Sequence, residues 1–93
     1  MLPDHIKQIL QNAFDAKFVE VIDESRSHAG HAQAQKSGGG HYEAVIVSER
    51  FTGKTLLERH RMVYEALGKE MKSTIHALKI RAFTEKEWKG IRN

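Results

Sequence analysis

The sequence predicts an α+β domain of order αββαβα, in which a mixed three-stranded sheet carries its helices on one face. Three observations point there: apolar residues at helical spacing near the N-terminus, β-branched stretches that alternate with polar residues, and two Thr-x-x-Glu signatures that each open a helix. The first helix is expected over 3–14, "PDHIKQILQNAF", where Ile6, Ile9, Leu10, Ala13 and Phe14 share a face and Pro3 and Asp4 suit the first turn. "KFVEVID" and "HYEAVIVS" read as two strands, most simply an antiparallel pair. The connection between them, from Glu24 to Gly40, runs to about 17 residues where hairpins usually need about 2 to 5, and loops of that length are commonly functional.

Thr55 and Glu58 then stand in capping-box spacing ahead of a helix over 55–71. Leu56, His60, Val63 and Leu67 form its apolar stripe, while Glu58, Arg61, Glu65 and Lys69 take the wetter face. Gly68 is placed to weaken or turn its end. "IHALKIRAF" returns to strand periodicity, with His76, Leu78, Ile80 and Ala82 on one face and Lys79 and Arg81 on the other. Thr84 and Glu87 repeat the capping box before Trp88 and start a C-terminal helix. A helix joining the second and third strands permits a parallel, right-handed crossover. The expected helical contribution to the core is Ile6, Leu10, Phe14, Leu56, Val63 and Leu67.

Ninety-three residues make one domain, with 24–40 as its one long loop. No apolar run approaches the roughly 20 residues that cross a bilayer, and the N-terminus reads as a folded helix in place of a signal peptide, which favours the cytoplasm. With no cysteine, the chain forms no disulfide and offers no thiolate, so any metal must take His, carboxylate or a partner's ligands. The formal charge of +3 permits nucleic-acid contact without arguing strongly for it.

The stretch "SHAGHAQAQKSGGGHYEAV" holds three histidines. His28 and His31 have H-x-x-H spacing, but a zinc site needs three or four oriented ligands, and a solvated loop is the simpler reading. His41 starts a strand. His60 lies in the apolar stripe of the second helix, where a hydrogen-bonded core or boundary residue is commoner than a ligand. His76, at the entry of the third strand, is placed to be held by packing while one ring nitrogen stays accessible. No G-x-S-x-G, no Walker lysine loop and no nucleophile and base pair is present, so an enzyme is not expected.

The segments "VIDES" with His28, "VSERFTGKTLLERHRMVYEAL" and "TIHALKIRAFTEKEW" resemble the BolA family in order and spacing, across nearly the whole chain. The resemblance implies a fold similar to a class II KH domain and partnership with monothiol glutaredoxins. It further implies a 2Fe-2S cluster shared with a glutaredoxin cysteine and glutathione, with His76 the principal histidine ligand and His28 the loop ligand. Because the loop here is only loosely similar to the family's, His31 stands as the alternative to His28. Imidazole in place of thiolate at one iron raises the potential, as in Rieske centres, which lets a chain without cysteine take part. The competing expectation is a DNA-binding transcriptional regulator, since the family includes members described as such. No G-x-x-G loop of the KH type lies between the helices, so contact would fall to phosphates through Lys54, Arg59, Arg61, Lys79 and Arg81.

Overall fold

The computed structural model describes residues 2–24, 40–73 and 75–92. In chain order these form α1 (Leu2–Phe14), β1 (Phe18–Asp23), β2 (Gly40–Val47), a 3-10 turn (Glu49–Phe51), α2 (Leu56–Leu67), α3 (Lys69–Ser73), β3 (Ile75–Phe83) and α4 (Glu85–Arg92). The strands lie in the order β1-β2-β3, with β1 antiparallel and β3 parallel to the central β2. This is the predicted mixed sheet.

The helix expected over 55–71 divides at Gly68, and the reason is conformational. Gly68 adopts φ 47°, closes α2 with its N–H donating to the Tyr64 carbonyl, and lets the chain restart as α3. The start of α2 follows its spelling: Thr55 accepts from the Glu58 N–H at 3.1 Å, and Glu58 accepts from the Thr55 N–H at 2.8 Å. Those reciprocal bonds satisfy helix-end donors and hold the Glu58 carboxyl below its ordinary pKa, the Thr55 backbone contact being the largest cause.

Side chains at Val19, Tyr42, Ala44, Ile46 and Ala82 point to one sheet face and pack with Ile6, Leu10 and Phe14 of α1, Phe51, and Val63 and Leu67 of α2. Alternation puts Phe18, Val47 and Phe83, which are cross-strand neighbours, on the second face. There α4 departs from the simple one-sided layout. Its Trp88 ring lies 5.5 Å from that of Phe18 and 5.4 Å from that of Phe83, roofing the row in which Val47 is buried.

Leu56 does not join the core. It is 68% exposed, because the first turn of α2 faces an open groove of about 370 Å³ between α2, the end of β3 and α4. Arg59 takes an inner place instead and is only 6% exposed.

Candidate ligand-bearing end of the sheet

β1 ends at Asp23, which pairs with Tyr42, and the Glu24 N–H donates to the His41 carbonyl at 2.7 Å. β2 begins at Gly40, and Gly40 pairs with Ile75, the first residue of β3. Both roots of the connection between β1 and β2 therefore meet the entry of β3 at one end of the sheet. The register sharpens this placement. Gly40 opposes Ile75 while His41 opposes Ala77, so one step along β2 spans two along β3 and His76 is the extra residue. Such bulges break the ladder locally and re-aim the chain, and they recur beside functional sites.

His28 and His31 lie outside the described residues, and His76 is placed by its backbone in β3. His41 opens β2 as expected and is half-buried. Tyr42, its neighbour, is 3% exposed, and burial first and Asp23 second push its hydroxyl above the ordinary pKa, so a neutral phenol anchors this end of β2. Among the described residues no group of three or more metal-ligating side chains is assembled. His60 is half-buried on α2, the boundary position its stripe suggested.

The five cations named from sequence do not make one surface. Arg59 must be withdrawn as a phosphate contact, because its guanidinium is consumed internally. Its Nε donates to the Lys54 carbonyl at 3.0 Å, its Nη1 to the Ala82 carbonyl at 3.0 Å and to Glu87 Oε1 at 2.7 Å, and its Nη2 to Glu87 Oε2 at 3.2 Å. Lys54 and Arg61 are exposed at the start and on the outer side of α2. Lys79 and Arg81 lie on the second sheet face, where Lys79 opposes Glu43 and reaches Glu24 at 3.6 Å, and Arg81 lies 5.7 Å over the Phe83 ring.

Two polar features escaped the sequence reading, the pairing of Glu87 with Arg59 and the part played by Ser48. Glu87 serves at once as the capping-box residue of α4, accepting from the Thr84 N–H at 2.8 Å, and as the partner of Arg59. Those contacts, the Arg59 hydrogen bond foremost, hold its carboxyl down at about 2. The Thr84 and Glu87 spacing signals the first role, and nothing local signals the second. Ser48, fully buried, donates to the Phe14 carbonyl at 2.6 Å and accepts from the Arg50 N–H at 3.1 Å, fastening the end of α1 to the turn after β2.

Comparison with known proteins agrees with this architecture. A family profile described as BolA-like protein matches residues 10–87. The chain is 41% identical over 93 residues to the protein named DNA-binding transcriptional regulator BolA of Escherichia coli K12, covering all of this chain and 85% of that one. It is 43% identical over 86 residues to SufE-like protein 1, chloroplastic/mitochondrial, of Arabidopsis thaliana, covering 88% of this chain but only 23% of that protein. Among solved structures, mouse BolA1 superposes with a TM-score of 0.81 at 35% identity, over 99% of this chain and 72% of the other. The BolA domain of SufE1 from Arabidopsis thaliana gives 0.77 at 40% identity, over 92% and 94% respectively. With a profile spanning most of the chain, a relative 41% identical over 85% of its own length and the same arrangement of elements, the chain belongs to the BolA-like family.

Proposed function

We propose that this chain is a non-enzymatic iron-sulfur adaptor that binds a monothiol glutaredoxin and lends histidine to a 2Fe-2S cluster shared with it and glutathione, in cluster assembly, trafficking or iron and redox sensing. The observation that carries the reading is the meeting of the roots of the segment bearing His28 and His31 with the His76 bulge at one sheet end. The donor set fits the group: a chain with no cysteine can supply neutral imidazoles to one iron while a partner supplies thiolates to the other. When bound, the cluster supplies one-electron chemistry, and this chain's part is to present His76 with His28, or His31 in its place.

The test mixes the protein with a monothiol glutaredoxin, iron, sulfide and glutathione and follows visible absorbance and circular dichroism. His76→Ala is expected to alter or abolish the heterodimer's cluster spectrum, and an unchanged spectrum removes His76 from the ligand set. His28→Ala and His31→Ala, made separately, decide the loop ligand.

A second reading, DNA binding in transcriptional regulation, is favoured by the 41% identity to the Escherichia coli relative of that name and by the exposed Lys54 and Arg61. With Arg59 withdrawn, contact through α2 has fewer cations to offer, and binding should weaken steeply with salt. Labelled duplex DNA titrated over a salt series tests it. No shift even at low salt rejects this reading and leaves the first untouched.

A further inference from the structure

The polar contacts described for α4 gather at its first turn. The Glu85 N–H donates to Glu49 Oε2 at 2.9 Å, Glu87 caps Thr84 at 2.8 Å, and Glu87 takes both Nη atoms of Arg59. Beyond that turn, Trp88 stacks on Phe18 and Phe83. The rest of the helix is loosely held: Ile91 is 54% exposed, a Cβ at Gly90 would meet nothing within 4 Å, and the open groove parts Gly90 and Ile91 from Leu56. An eight-residue helix has little stability of its own, so its order depends on these few contacts. The sheet and the α1–α2 layer, by contrast, share one continuous core to which no residue of α4 belongs.

We propose that α4 is a lid that undocks as a unit while that core stays folded, and that the Arg59–Glu87 pair sets how often it does so. The open state uncovers the row Phe18, Val47 and Phe83 on the second face, at the sheet end opposite the histidines. Segments with few buried apolar contacts open at lower free energy than the global transition. A bond between an ionised carboxylate and the guanidinium of an arginine that is only 6% exposed is strong enough to govern that step.

Amide exchange on the full chain tests the proposal, with acrylamide quenching of the single tryptophan as a second readout. In the wild type, α4 amides should exchange at least about tenfold faster than those of β2 and with little urea dependence. Glu87→Gln should speed α4 exchange and Trp88 quenching by about fivefold. Val63→Ala, a core change that raises the docked and open states alike, should speed β2 exchange and leave α4 unchanged. Three results overturn the proposal: α4 and β2 exchanging together in the wild type, α4 accelerating in step with β2 in Val63→Ala, or Glu87→Gln leaving α4 as it was. Should Glu87→Gln fold poorly, Glu49→Ala removes an exposed fastening of the same turn, and an unaltered α4 in that variant also counts against the lid.

Discussion

Replacing Arg59 with methionine keeps a long side chain against Phe51, whose ring centre lies 5.9 Å from the guanidinium carbon, and deletes every polar contact of the group. Four hydrogen bonds are lost, two to carbonyls and two to Glu87. They do not count equally. The Glu87 side chain is 45% exposed and regains water, so its share is discounted to about 1 kcal/mol. The bond to the Ala82 carbonyl is buried, and leaving such an acceptor unpaired costs about 1–3 kcal/mol. Methionine returns part of this as apolar packing, and the net expectation is a loss of about 2–3 kcal/mol. For a domain of this size that lowers Tm by roughly 8–24 °C. Urea denaturation of Arg59→Met beside Arg61→Met provides the measurement, since the exposed Arg61 should change stability by no more than about 0.5 kcal/mol. Equal, small losses in both variants would refute the claim that Arg59 is spent on the fold.

Val63→Ala should cost about 2 kcal/mol in the same assay, from lost burial and the cavity left at a fully buried site, whereas Leu56→Ala, 68% exposed, should cost less than about 0.5 kcal/mol. Ser48→Ala leaves the Phe14 carbonyl without its buried donor and should lose about 1–3 kcal/mol of unfolding free energy. Acid should weaken the protein through Glu87: a carboxyl lowered from 4.5 to about 2 stabilises fully above its unfolded pKa, and that contribution disappears as pH falls from about 4.5 towards 2. Screening at a half-exposed group limits the effect to about 1–2 kcal/mol, and Glu87→Gln should flatten that part of a stability-against-pH curve.

The elements were legible because their signals are local. The helical spacing of Ile6, Leu10 and Phe14, the alternation of "FVEVID" and the two capping boxes each depend on residues within a few positions, and each element opened where it was spelled, though the second helix divides at Gly68. Arg59 was misread because a helix wheel records angle and not what lies opposite. At its angle the structure places the last residues of β3 and a carboxylate 28 residues away, and only tertiary contact reveals either. Leu56 was misread for the reverse reason: its angle is that of Val63, but at the first turn of α2 there is a groove where the core would be. The His76 bulge was invisible too, since a register shift depends on two strands that are far apart in sequence.

These placements divide the molecule by role along the strand direction. At the end where β2 and β3 finish, Ser48 holds α1, Arg59 holds α4, and Trp88 covers Val47. At the other end, where β1 stops and β2 and β3 begin, the ladder is broken at Gly40 and His41 beside His76, and the segment of sequence that bears His28 and His31 has its two roots there. Distant sites that share no partners contribute nearly independently to stability, so a change at the bulge should leave the Ser48 and Arg59 contacts as they are. On that logic His76→Ala should alter cluster assembly with a glutaredoxin while leaving the urea midpoint close to wild type. A large loss of stability in that variant would mean that the imidazole serves the fold and not the cluster.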